Sequence, residues 1–199
     1  MEWLTLLLLV PAMVMPVVLL LGFAGCDLVF PPGPGPAEPV FEQTFAATFT
    51  DVDALRGRCL VQRIEPVRLS DSGTQVQLTL QAFAESVVID RILISQPAAT
   101  GDPYDSAGDL TDISTAVVLV QPNSSLTLPP VAYNLDRTQP LLIAMDISVN
   151  SGALPFLQGV PAAEATAFFR DGPEAAVADR SPAYTSRPRI YLIERIDVA

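Results

Sequence analysis

From residue 40 onward the apolar positions recur with a period of two. In residues 74–83, Val76, Leu78, Leu80 and Ala82 fall on one face and Gln75, Gln77, Thr79 and Gln81 on the other, the pattern of a half-buried antiparallel strand. Comparable runs occupy 41–49, 59–67, 86–95, 115–120, 124–128, 140–149, 164–170 and 189–198. Turn-forming clusters separate them, among them Ser70-Asp71-Ser72-Gly73, Ala107-Gly108-Asp109, Asn150-Ser151-Gly152 and Arg170-Asp171-Gly172-Pro173,. One short stretch, 51–56, reads as a helical turn. About nine short strands with this punctuation predict an all-β domain, a jelly-roll-like two-sheet β-sandwich, with a closed barrel as the alternative. No fixed repeat period is visible, which excludes solenoids and propellers. The run 189–198 is expected to pair inside a sheet, so that removing it unfolds the domain.

The first 26 residues follow a different rule. MEWLTLLLLVPAMVMPVVLLLGFAGC carries no charge from Trp3 to Cys26, and at about 1.5 Å per residue it is long enough as a helix to cross a hydrocarbon core of about 30 Å. It ends in Phe23-Ala24-Gly25-Cys26, which resembles the lipobox of bacterial lipoproteins. The resemblance implies that Cys26 is acylated. An uncleaved transmembrane anchor is the alternative, since the segment has Glu2 and no basic residue where a signal peptide carries positive charge,. Residues 27–39 form a linker containing Pro31-Pro32-Gly33-Pro34-Gly35-Pro36-Ala37-Glu38-Pro39. Proline fixes φ near the polyproline value and removes donors, so this run is a semi-rigid spacer, lifting the domain of residues 40–199 roughly 25 to 30 Å from a membrane at about 3.1 Å per residue.

Charge narrows the partners. The chain of 199 residues has 22 acidic and 11 basic side chains, a formal charge of −11, and no histidine. Every basic residue is an arginine. Such a surface repels polynucleotides, so no nucleic-acid partner is expected. Without histidine the chain offers no Ser-His-Asp or Cys-His nucleophile activation and no His-ligated metal. The two cysteines are Cys26 and Cys59. Cys59 reads as a small apolar strand residue, with a reactive thiol near Arg56, Arg58 and Arg63 as the alternative; a Cys26–Cys59 bridge is open if Cys26 is not acylated.

Two loops carry the candidate chemistry. Asp102, Asp105, Asp109 and Asp112 lie within one Gly/Asp-rich loop, a composition that suits either a solvated loop with Asx turns or a structural calcium site, because calcium takes six to eight oxygen ligands. No other cofactor is indicated. A hydrolase using Asp102 and Asp105 as a carboxylate pair would need both across one cleft. The second loop, 168–185, brings Phe169, Arg170, Arg180 and Tyr184 together with turn residues, a set able to stack on and hydrogen-bond a sugar or peptide. The bland reading places a phenylalanine in the core and pairs Arg170 and Arg180 with Asp171 and Asp179.

The order of residues 86–94, Gly101-Asp102-Pro103-Tyr104-Asp105, 124–130 and Pro140-Leu141-Leu142-Ile143-Ala144-Met145-Asp146 resembles the β-sandwich accessory module that accompanies SGNH (GDSL-type) esterase domains. The resemblance implies a jelly roll with a binding or packing role and transfers no site residues. Taken together, these features predict a non-catalytic, membrane-tethered module in the periplasm or at the cell surface. Its expected partners are the membrane, through its anchor, and a glycan or an envelope protein; a structural lipoprotein of an envelope or phage particle is the alternative.

Overall fold

The computed structural model describes residues 37–180 and 182–199, so the 1–26 leader, Cys26 and most of the linker lie outside the described residues. Residues Glu38–Ala199 form one compact unit. The strands in chain order are β1 (Glu42–Ala46), β2 (Asp51–Asp53), β3 (Arg58–Ile64), β4 (Gly73–Ala82), β5 (Val87–Ser95), β6 (Thr111–Ser114), β7 (Val118–Val120), β8 (Ser124–Thr127), β9 (Val131–Leu135), β10 (Leu141–Ile147), β11 (Leu154–Leu157), β12 (Ala165–Asp171), β13 (Thr185–Arg187), β14 (Ile190–Tyr191) and β15 (Ile193–Val198). A 3₁₀ turn, Pro66–Arg68, follows β3. All strand pairs are antiparallel and build three sheets: β1-β15-β4-β8 with β9 further along β4, β13-β12-β3-β10-β5-β6 with β7 beside β6 on β5, and the small β14-β11-β2.

The structure is all-β, as the alternation predicts, and several antiparallel sheets around a shared interior are consistent with a β-sandwich. Val76, Leu78 and Leu80 of β4, Ile196 of β15, Ile143 and Met145 of β10, Leu60 of β3 and Phe156 of β11 belong to one buried cluster. Burying such side chains stabilises the fold by about 1.5 to 3 kcal/mol each. The segment 51–56 is not a helical turn. Its first three residues extend as β2 against Leu154, Pro155 and Phe156, because edge pairing supplies hydrogen bonds that a lone turn of helix cannot.

The run 189–198 is also not one strand. Leu192 has φ of 58° and breaks it into β14 and β15, which lie in different sheets. Its amide donates to Pro155 O at 3.0 Å and its carbonyl accepts Gln81 N at 2.9 Å, so a residue in an unfavourable backbone region is held by both neighbouring sheets. Beyond this corner β15 runs between β1 and β4, the interior position expected of it.

The seven-stranded sheet is covered on both faces. In β10, Leu141, Ile143, Met145 and Ile147 point into the main core, while Leu142 and Ala144 join a second buried cluster with Cys59, Val61, Leu93 and Phe168. All seven residues of β10 are buried, which explains its nearly continuous apolar run.

Candidate functional site

The cover over that second cluster is made by the two loops in which the sequence concentrates its chemistry. Tyr104 and Ala175 complete the cluster, with Leu110 and Tyr184 packed at its rim. Tyr104 stacks on Tyr184 at 4.4 Å between ring centres and tilts against Phe168 at 5.4 Å. Ser106 N donates to Ala178 O at 2.9 Å, tying loop to loop.

Arg180 fastens this junction. It is only 2% exposed, its guanidinium donates to Tyr104 O and to Ala175 O, the latter at 3.1 Å, and its amide donates to Asp105 Oδ1 at 2.9 Å. Its guanidinium meets backbone carbonyls and not Asp179, and its burial removes it from the ligand-facing set.

The four aspartates of the 101–112 loop face different donors. Asp105 Oδ2 accepts Asp102 N at 2.8 Å, and Asp102 Oδ2 accepts the Tyr104 hydroxyl at 2.9 Å. Asp109 accepts Gln96 N at 3.0 Å and the Tyr133 hydroxyl at 3.1 Å. Asp112 accepts two hydrogen bonds from Arg91, at 2.8 and 3.1 Å. Among the described residues no three acidic, cysteine or histidine side chains converge as a metal-holding group. Burial, with Asp109 beside it, pushes the Tyr133 hydroxyl far above its ordinary range, so that it remains a donor.

Beneath the cover sit Cys59 and Asp146, cross-strand partners on β3 and β10. Burial pushes the Cys59 thiol up to about 11, so it stays protonated at neutral pH and supplies no thiolate,. Burial likewise raises Asp146 above the usual carboxylate range, opposed by hydrogen bonds from the backbone amides of Ala175 and Glu174. Both amides donate to its Oδ1, at 2.9 Å from Glu174 and 3.0 Å from Ala175.

An open depression of about 370 Å³ lies where β12 ends and β3 begins, lined by Arg58, Phe169, Arg170, Asp171, Thr185 and the 182–183 turn. Of the four ligand candidates, Arg170 lines it with a partly exposed guanidinium, and Phe169 lines it only as a floor, 4% exposed and part of the main core as the packing alternative expects; Tyr184 turns instead onto Tyr104 and donates to Glu174 Oε2 at 3.1 Å. Arg58 pairs with Asp171 at 3.0 Å and Arg170 with Glu174 at 3.0 Å, so the expected Arg170–Asp171 pair is replaced by two others. The guanidinium carbons of Arg58 and Arg187 stand 5.4 and 4.9 Å from the centre of the Phe169 ring. Next to them Asp53 receives Arg187, Arg189 at 3.1 Å and the Tyr191 hydroxyl at 3.1 Å, while Arg189 stands 4.0 Å over Phe156.

This arginine cluster at the end of the sheet was not legible as a unit. Arg187 and Arg189 are two apart and share a side of the chain, but their carboxylate, Asp53, is supplied from 134 residues upstream of Arg187. Chemically, four of the eleven arginines gather on an acidic protein around three carboxylates, Asp53, Asp171 and Glu174. Fork-shaped guanidinium donors suit planar carboxylate or phosphate groups. The chain matches no protein-family model and no curated protein.

Proposed function

We propose that this chain is a non-catalytic, membrane-tethered module that binds an acidic glycan of the cell envelope in the depression lined by Arg58, Phe169, Arg170 and Thr185. The carrying observation is the partly exposed pair of guanidinium groups, Arg58 at 35% and Arg170 at 32% of their side-chain surface, at the rim of an open concavity. Each holds one carboxylate and retains further N–H donors for a ligand. In this reading the sheets form a two-sheet jelly roll like the accessory modules of SGNH hydrolases. Acylated Cys26 holds the module at the periplasmic or outer surface, and the proline-rich linker sets its reach.

The test is titration of the full chain with soluble uronic-acid oligosaccharides, comparing wild type with Arg58→Ala and Arg170→Ala. Saturable binding weakened about tenfold by each substitution, the loss of one charge-assisted hydrogen bond, supports the reading. Absence of saturable binding, or binding indifferent to both changes, overturns it.

A second reading, docking of another envelope or particle protein, is favoured by Val117 and Leu119, which are 64% and 48% exposed in and beside β7 at a sheet edge. It requires a stable complex on pull-down, lost when Leu119 is replaced by Lys.

A further inference from the structure

Strand β13 of the seven-stranded sheet meets the small sheet at Asp53, and the ion pairs there do not balance. Among the described residues Asp53 is the one carboxylate shared by two arginines, Arg187 and Arg189. Arg58 with Asp171, Arg91 with Asp112, Arg170 with Glu174 and Arg195 with Asp197 are matched one to one. On a chain of formal charge −11, this junction keeps one positive charge over. Asp51 and Arg56, the other charged residues of β2 and the turn after it, are exposed, opposite in sign and in no ion pair among the described residues, so they leave the excess in place.

The manner in which the two guanidinium groups are held matters as much as their charge. Arg58, Arg63, Arg68, Arg91 and Arg195 each meet their carboxylate through Nε. That commits the Nε–Nη2 edge, the fork that takes an oxyanion through two parallel bonds. Arg187 and Arg189 instead both donate to Asp53 Oδ2 through Nη1, and Arg189 Nη1 also reaches the Tyr191 hydroxyl at 3.3 Å. Neither Nε nor Nη2 of either residue has a hydrogen-bond partner among the described residues, and none of these four nitrogens is buried. Both forks are therefore open and face solvent, on side chains that are 39% and 24% exposed. Each group also rests on an aromatic ring, Arg187 at 4.9 Å from the centre of Phe169 and Arg189 at 4.0 Å from that of Phe156. Such stacking orients the guanidinium plane and leaves its in-plane donors free for a ligand.

The pair adjoins the depression. Arg187 follows Thr185 by two residues on β13 and covers the Phe169 ring that floors the cavity. One surplus positive charge matches a monoanionic oxyacid group, such as the carboxylate of a uronic acid or a phosphodiester linking two sugars. A phosphate monoester carries about −1.5 to −2 at pH 7 and would leave the junction net negative. We infer that Arg187 and Arg189 receive the monoanionic group of the ligand, each through its Nε–Nη2 fork, while Arg58 and Arg170 hold the adjoining sugar. The inference rests on the acidic-glycan reading and locates the acid within it.

The experiment is calorimetric titration of the full chain, in a detergent without a sugar headgroup. The probes are uronic-acid oligosaccharides, glycerol-phosphate oligomers as the phosphodiester source, a sugar phosphate monoester and a neutral oligosaccharide. Wild type, Arg187→Lys, Arg189→Lys, Arg58→Ala and Arg195→Lys are compared, with thermal melting as the control for folding; each lysine keeps the charge and removes the fork. The expected result is saturable binding of a monoanionic class, the uronic acids marking a carboxylate ligand and the glycerol phosphates a phosphodiester one. Arg187→Lys and Arg189→Lys each weaken it about tenfold, the equivalent of one charge-assisted hydrogen bond, Arg195→Lys leaves it unchanged, and the neutral oligomer binds at least about tenfold more weakly. In the wild type the Nε–H nuclear magnetic resonance signals of Arg187 and Arg189 shift on titration while that of Arg195 stays, a readout that needs no variant to fold. Acidic-oligomer binding weakened by Arg58→Ala but indifferent to both lysine variants at the junction, with those two signals unmoved, overturns the inference and leaves the depression's proposed role standing. Tighter binding of the phosphate monoester than of either monoanionic class also overturns it. No saturable binding of either acidic class overturns both readings together.

Discussion

Replacing Leu142 by alanine tests whether the loops really make a second core. Leu142 and Ile143 are adjacent on β10, point to opposite faces of the seven-stranded sheet, and are both 0% exposed. Truncating either to alanine removes about three methylene equivalents, worth roughly 2.4 kcal/mol at about 0.8 kcal/mol each. The cavity left behind raises the expected loss to about 2 to 5 kcal/mol. If the loops were a loose, solvated lid, Ile143→Ala would still fall in that range, but Leu142→Ala would lose about 0.5 kcal/mol, as for a surface change. Urea unfolding of residues 38–199, followed by far-ultraviolet circular dichroism, separates the cases. With a slope of about 2 kcal/mol per molar urea, the Leu142→Ala midpoint should drop by about 1 to 2.5 M. A drop below about 0.4 M beside a normal drop for Ile143→Ala would refute the two-faced core.

Two further outcomes follow from the groups beneath the cover. Because burial raises the folded-state value of Asp146, the native state binds its proton more tightly than the unfolded chain; its contribution is therefore full below the ordinary value of 3.8 and is lost as pH rises through the raised one,. A single oxygen accepts both backbone amides, so Asp146→Asn can keep that bonding, and melting temperatures from pH 3 to 7 should decline less for the variant than for wild type; parallel curves would contradict the assignment. For Cys59, a thiol held near 11 is about 0.1% thiolate at pH 8. In a Cys26→Ser background, iodoacetamide should leave native Cys59 almost unlabelled while the urea-unfolded chain reacts fully; rapid native labelling would rule out the burial described.

The strand pattern was legible wherever one face of a strand meets the core, as at β4, because alternation is a local property. Five pieces were not. Strands β2, β6, β9, β11 and β13 are three to five residues long and lie outside the longer apolar-periodic runs that mark the equally short β1, β7 and β8; they exist because a neighbouring strand offers hydrogen bonds. The corner at Leu192 was hidden for a different reason: Ile190-Tyr191-Leu192-Ile193 is an uninterrupted apolar run with no Gly, Pro, Asn or Asp to mark a break. For the depression, residue type was informative and location was not. Phe169 and Arg170 reach it from β12, whereas Arg180 and Tyr184, equally plausible by chemistry, are drawn into packing by Tyr104 and Asp105, some 75 to 80 residues away.

The place of β15 between β1 and β4 sets a timetable for folding. Phe45 pairs with Ile196, and closing a loop of about 150 residues costs about 4 kcal/mol of chain entropy before any contact repays it. During synthesis β1 therefore waits, its inner edge unpaired, until nearly the whole domain has been made. Sheets assembled from such distant partners form in milliseconds to seconds and not microseconds.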